Sequence, residues 1–592
     1  MKDPQGPDQL AAARDPRVLM EVALGRLPAD LVLFNCRLVN VYTAEVPADQ
    51  AIAVKDGWIA YCGPPDEAIL SGAAERIDLK GKTVIPGLID GHTHMAWMFD
   101  VAPFVEGVMA GGTTTVITET MEPYPVCGLE GVLDFLDALA GQPIKLFASA
   151  PAMVSTSPAF RGIDPDHLQT LLLRPEVLAI GESYWQGVLH DPDHFAPLLA
   201  AAACAGKQVE GHSAGAAGTR LQAYAACGVT SCHEPINAGE AAARMRLGIH
   251  VMAREGSIRR DVAEIVKVKD MGIDLRRLII ATDGISPRDL VTSGYLDHSL
   301  NQAINAGLDP VRAIQAATVN VAEHFRLDHL VGGIAPGRCA DLVVIPAPDR
   351  IEALMVFSNG KLVAEGKKPK VRARPHHYRP ASLDSVRLEK EFTADDFRIP
   401  ASGTAARVRA ISMVTDLVTR EKLIRVPVSR GEISADPARG LLKVAAVDRA
   451  VRPGRCFTGL ITGFGLRRGA MASSAAWDTS DIIVAGADEK DMALAVNRIA
   501  HLHGGTVVCC RGRVTAELAL PVFGLCSQLS VPELAAAAGA VNRAAAELGV
   551  TFADPMLSLV TLTGAAIPFL RICEQGLVDL KKGQPVELII DD

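Results

Sequence analysis

The sequence predicts an α/β protein. It has a (β/α)8 barrel, a small β-sandwich built from both flanks of that barrel, and a C-terminal α+β domain. Three observations lead there. From about Thr83 to Leu330, apolar strand-like runs alternate with Ala/Leu-rich helical runs, the pattern of parallel strands covered by helices. Eight such strand candidates occur, which suits a closed barrel better than an open sheet. Short alternating strands before Asp78 return in the same style after Gly337, on the other side of the barrel segment. At 592 residues, the chain is also too long for a single core.

Taken in order, residues Ala29 to Asp78 read as strands punctuated by Lys55-Asp56-Gly57 and Gly63-Pro64-Pro65, both turn chemistry. The pattern resumes at Gly337–Pro348 and Ala353–Gly366, where Asn359-Gly360 is a hairpin signal. Residues 1–83 and 331–372 are therefore expected to form one sandwich, with an N-terminal extension. Residues 84–330 are expected to form the barrel. Its strands are VIPGLIDGHTH, GTTTVITET, IKLFASAPA, VLAIGESY, QVEGHS, VTSCHE, GIHVMARE and RLIIATDG. Helical runs between and after them include HFAPLLAAAACAG, GTRLQAYAACG, AGEAAARMRLG, SIRRDVAEIVKV and DPVRAIQAATVNVAEHF. A Pro/His-bearing linker, ARPHHYRPAS, follows Arg372, and strand-turn-helix patterning resumes over 384–592 as a separate domain.

Composition excludes several classes. A net charge of −9, from 59 basic and 68 acidic residues, leaves no footprint for nucleic acid or an anionic membrane. No apolar run reaches the ~18 residues of a membrane span. The polar N-terminus has no secretory apolar core, so a cytoplasmic location is expected. Twelve scattered cysteines without a CxxC indicate neither a disulfide framework nor a zinc ribbon. No glycine-rich phosphate loop follows any strand, which counts against a nucleotide cofactor.

The chemistry sits at the strand ends, where barrels carry their catalytic groups. The first strand ends in His92-Thr93-His94, and residues two apart in a strand point the same way. The fourth ends in Glu182, the fifth in His212, the sixth in His233-Glu234 and the eighth in Asp283. A mixed imidazole and carboxylate set suits divalent Zn²⁺, Fe²⁺ or Mn²⁺. Six potential ligands exceed what one tetrahedral zinc requires, favouring two metals and a hydroxide held between them. Asp283 is placed to take a proton from that water and pass it to a leaving nitrogen, or to cap the helix that follows.

VIPGLIDGHTH, GHSAG, SCHEP and ATDG in this order, with GGIAPGRCADLVV closing the sandwich, resemble the amidohydrolase superfamily. The finer resemblance is to the adenine deaminases, through AIGE at Glu182, GVTSCHEP, HVMAREGS, ATVNVAEHFRLDHL, TGFGLRRGAMASS and DEKDMALAVNRI. It covers nearly the whole chain. It implies a binuclear metal-dependent hydrolase of a C–N bond in a nitrogen heterocycle, taking adenine and water to hypoxanthine and ammonia. His92, His94, Glu182, His212, His233 and Asp283 become the metal ligands, with iron or manganese favoured and zinc possible. Many superfamily members bridge their metals with a modified lysine on strand four. No lysine lies between Lys145 and Lys207, so the resemblance gives the bridge to Glu182. Glu234 becomes a second acid, protonating a ring nitrogen. A homo-oligomer is expected by the same likeness.

The resemblance breaks near the substrate. An IESSM-like run after the histidines is replaced here by Met95-Ala96-Trp97-Met98-Phe99-Asp100, and a DPHEI-like run by TETMEPYP over 118–125. The expected TDD reads Thr282-Asp283-Gly284, and a Gly-His reads Gly294-Tyr295. An HDSHN-like segment becomes Trp477-Asp478-Thr479-Ser480-Asp481. Trp97, Glu119, Glu122 and Tyr295 are therefore candidates for the pocket wall. Because polar pocket groups discriminate sharply, replacing several together points to an alternative reading, hydrolysis of a different cyclic amide, imide or aminated heterocycle. A barrel kept only for binding would be expected to lack ligands, and this chain has the full set.

Overall fold

The computed structural model describes residues 6–590 except 153–154, 161 and 568. The first five residues of the expected N-terminal extension and the last two of the C-terminal domain lie outside the described residues.

Eight parallel strands line the barrel: β1 (Leu88–Thr93), β2 (Thr113–Glu119), β3 (Lys145–Ala150), β4 (Val177–Tyr184), β5 (Gln208–His212), β6 (Ser231–Cys232), β7 (His250–Arg254) and β8 (Leu278–Ala281). β1 to β5 form one parallel run and β6 to β8 another. The Thr230 amide donates to the Val209 carbonyl at 2.8 Å, joining β5 to β6. The Asp283 amide donates to the His92 carbonyl at 3.0 Å, and His94 donates to the Asp283 carbonyl at 2.9 Å. That exchange closes the ring at the two strand ends carrying candidate ligands.

The apolar run Val84–His94 is two strands rather than one. Thr83–Pro86 belongs to the flanking sheet, antiparallel to Leu342–Ile345, and β1 starts after Gly87. A Cβ on Gly87 would meet Thr114 Oγ1 at 2.0 Å, so the chain passes from one sheet to the other only through glycine there. The flanking sheet has nine strands and draws on Leu31–Pro86 and Leu342–Pro369 together. Two helices precede it, Pro7–Ala12 and Pro16–Ala23, which strand reading of this region did not anticipate. The second is capped by Asp15, whose carboxylate accepts from the Arg17 and Val18 amides, and it buries Leu19 and Val22.

Other expectations shorten. VTSCHE supplies only two strand residues. SIRRDVAEIVKV gives one α-turn, Val262–Ile265, before tightening to a 3₁₀ helix, Val266–Met271. Its β-branched residues crowd the preceding turn. DPVRAIQAATVNVAEHF is two helices, Pro310–Ala316 and Val319–His324. They divide at Thr318, whose Oγ1 bonds the Ile314 carbonyl at 2.6 Å.

The C-terminal segment builds a second nine-stranded sheet, eight strands from Ala405–Met413 to Arg513–Ala519 and a ninth, Ile589–Ile590, covered by helices Glu489–His501 and Val531–Glu547. It is a separate fold unit sewn onto the barrel mouth. Met98–Phe99 pairs in parallel with Cys526–Ser527. The loop after β3 reaches it through Ser155 Oγ to the Asp478 carbonyl at 2.6 Å and Thr156 Oγ1 to the Thr563 carbonyl at 2.8 Å. Beneath these bonds the apolar core is continuous, with Phe135 of the barrel meeting Phe523 edge to face.

Candidate metal centre

Glu182, near the end of β4, is the hub of the site. Its Oε1 lies 2.9 Å from His94 Nε2, 3.3 Å from His92 Nε2 and 3.5 Å from His233 Nε2. Its Oε2 lies 2.9 Å from His212 Nδ1. One carboxylate thus touches imidazoles from β1, β5 and the loop after β6. Asp283 Oδ1 sits 3.4 Å from Nε2 of both His92 and His94. Asp283 itself adopts a left-handed backbone (φ 64°), an uncommon conformation for a non-glycine residue, while its amide and carbonyl close the barrel. Glu234 Oε1 is 3.4 Å from His233 Nε2 and 3.7 Å from His212 Nε2.

The packing below the cluster orients it. Glu119, on β2, lies 3.5 Å from His92 Nδ1 and is 1% exposed. It fits only because residue 181 is glycine, where a Cβ would stand 2.0 Å from its Oε2. Glu122 takes His94 Nδ1 at 2.5 Å. A carboxylate behind each imidazole is the arrangement that fixes ring orientation and tautomer in metal sites.

The electrostatics call for positive charge. Burial alone would lower the His92 and His94 imidazoles, yet the surrounding Glu and Asp carboxylates hold both well above the usual histidine range. Burial would raise Glu182 and Asp283, but the histidines, and Arg254 beside Asp283, hold both carboxyls well below theirs. Nε2 of His92 and of His212 are buried without hydrogen-bond partners among the described residues. Donor atoms of His92, Glu182, His233 and Asp283 lie within 4.8 Å of one another, as do those of His212, His233 and Glu234. Unpartnered nitrogens facing clustered carboxylates fit a divalent metal centre.

A cavity of about 280 Å³ opens onto this cluster. His94, Trp97, Glu122, Glu182, His212, His233, Glu234 and Asp283 line it. Glu119 and Tyr295, expected at its wall, do not. Glu119 stands beneath His92. Tyr295 is 2% exposed, with its hydroxyl 3.2 Å from Thr282 Oγ1 and its ring against Phe104. Glu234 does line the cavity, where Arg254 Nη1 pairs with its carboxylate at 2.5 Å.

Sequence reasoning missed Arg254 as a site residue. It ends β7, and the strand-end rule that found the histidines would have found it too. It also missed Leu417, Val418 and Ile567, which line the cavity from the covering segment, whereas Trp477 and Asp478, singled out by their departure from the family pattern, line it too. Nothing in local patterning ties Leu417, Val418 or Ile567 to a barrel mouth.

Fold and ligand set define a metal-dependent amidohydrolase, an enzyme that hydrolyses C–N bonds with a divalent metal. The amidohydrolase family matches residues 83–363, and the adenine deaminase C-terminal domain matches residues 416–584. The chain belongs to the adenine deaminase family. It is 36% identical to an adenine deaminase of Moorella thermoacetica, over 98% of this chain and 99% of that protein. Adenine deaminases of Clostridium botulinum (33% identical, 97% of this chain, 98% of the other) and Dehalococcoides mccartyi (36%, 95% and 97%) are similarly alike. No helix among the described residues is long and apolar enough to cross a membrane.

Proposed function

We propose that this chain deaminates adenine or a close aminated heterocycle, converting the C–NH₂ and water to C=O and ammonia. The observation carrying this reading is the convergence of four imidazoles on Glu182, open to a cavity of heterocycle scale. In this reading His92, His94, His212, His233, Glu182 and Asp283 would hold two divalent ions, Fe²⁺ or Mn²⁺ favoured and Zn²⁺ possible. Bound ions would lower the pKa of water towards about 7, supplying a nucleophile at neutral pH.

The protein's own groups do the rest. Asp283, held ionised by Arg254, accepts the proton of the attacking water and delivers it to the departing nitrogen. Glu234, paired with the same arginine and lining the cavity, is the second acid, meeting a ring nitrogen of the substrate. Glu122 and Glu119 orient His94 and His92 from behind. We read residues 1–83 with 331–372, 84–330 and 384–592 as three units of a cytoplasmic chain that forms a homo-oligomer, the assembly resting on the family likeness. Metal-loaded protein incubated with adenine is expected to yield hypoxanthine and ammonia in equal amounts. A fully loaded protein that releases no ammonia would remove adenine as substrate.

A further inference from the structure

Beside the polar groups of the cluster, the cavity lining carries apolar surface. Trp97, Met121, Ile236, Leu417, Val418 and Ile567 contribute it, with Trp477. Ile236 is 45% exposed, bare apolar surface at the rim. Trp97 and Trp477 meet edge to face, ring centroids 5.8 Å apart and planes at 83°.

Both tryptophans are held by strained backbone. Each is followed by a non-glycine residue in the left-handed region, Met98 (φ 79°) and Asp478 (φ 61°). Such conformations persist only where the surroundings over-determine them, and they concentrate at ligand clamps. Here the surroundings are visible. The Met98 amide donates to the Leu525 carbonyl at 3.1 Å. The Trp477 amide donates to the Val560 carbonyl at 3.2 Å, and its carbonyl accepts from Thr563 Oγ1 at 2.7 Å. The Asp478 carboxylate accepts from the Tyr184 hydroxyl at 3.2 Å and the Ala565 amide at 2.7 Å. The aromatic corner is thus built before any ligand arrives, which favours binding by removing an ordering cost.

We propose that Trp97 and Trp477 determine specificity, and that the substrate is an aminated nitrogen heterocycle bearing an apolar substituent that packs against this aromatic corner. This rests on the deaminase reading, and it narrows the substrate from adenine itself to an alkylated or arylated relative. A polar heterocycle alone would leave the corner facing water, whereas an apolar group seated there is removed from water and gains affinity.

Calorimetric titration of the full-length, metal-loaded protein tests this with hypoxanthine and its 2-, 8- and 9-alkyl derivatives, products that undergo no deamination. At least one alkyl derivative is expected to bind about tenfold tighter than hypoxanthine. Trp477→Ala and Trp97→Ala should bring that ratio towards one, while Trp477→Phe keeps most of it. Metal content equal to wild type confirms that each variant retains its site. Hypoxanthine binding at least as tightly as every derivative would overturn the proposal, as would a preference surviving in both alanine variants. Ammonia release from adenine without any alkyl preference would sink this proposal alone. A clear preference with no ammonia from any amino analogue would instead sink deamination and leave the aromatic specificity standing.

Discussion

Arg254 sets Nη1 3.2 Å from Oδ2 of Asp283, leaving Oδ1 turned towards His92 and His94. The same nitrogen holds Glu234, and Nη2 holds Asp261 at 3.1 Å. A single buried cation therefore fixes two acids of the site and ties them to the acid just past β7. It divides Asp283 into a face that is anchored and a face that is free to exchange a proton.

Replacing Arg254 with Leu is expected to leave two buried carboxylates without their cation, at a cost on the order of 3–5 kcal/mol. Denaturant unfolding would register that loss, and turnover would fall with it. Arg254→Lys should recover part of both. Unchanged stability in Arg254→Leu would mean that the acids have found other partners.

Asp283→Asn keeps the shape and removes the proton acceptor. Ammonia release is expected to fall by about 10²–10⁴-fold, the usual worth of a general base, with most of the metal retained. Turnover near the wild-type rate would dismiss the proton-transfer role.

Stripping the metal should destabilise the fold, because ligand binding to the native state adds stability by mass action. With free metal at a hundredfold its dissociation constant, about 2.7 kcal/mol is lost on chelation. Calorimetric melting before and after chelation, and after return of Mn²⁺ or Fe²⁺, reads this directly. An unmoved Tm would argue against a resident ion.

A structural ion pair offers a contrast. Lys145, at the start of β3, donates to both Asp341 oxygens at 2.7–2.8 Å and to Asn359 Oδ1, locking the barrel floor to the flanking sheet. Burial would lower its pKa, but Asp341 outweighs that and raises it. Its contribution is therefore full below the ordinary lysine value of 10.5 and is lost only as pH rises through the higher folded one. Asp341→Ala should cost stability on the order of 3–5 kcal/mol at neutral pH without altering activity per folded molecule.

These residues also mark where sequence reading succeeds. The ligands were legible because each ends an apolar parallel strand, and a barrel brings all such ends to one face. Glu119 was misplaced because a one-residue difference in strand register decides between facing the cavity and lying beneath it, and Tyr295 because it enters a helix, Leu296–Asn305, with its hydroxyl turned to Thr282. Glu119 ends β2, where a wall residue would be expected, yet it lies beside His92. Trp477 and Asp478 reach the site through tertiary contacts with the loop after β3 and with Thr563, which no periodicity encodes. The continuous apolar run at Val84 hid a change of sheet, signalled only by Gly87.

Anomalous diffraction from crystals of manganese- or iron-loaded protein tests the central claim most directly. The account predicts two peaks per chain, both within coordination distance of the Glu182 carboxylate. A lone peak away from Glu182, or none in fully loaded crystals, would contradict it.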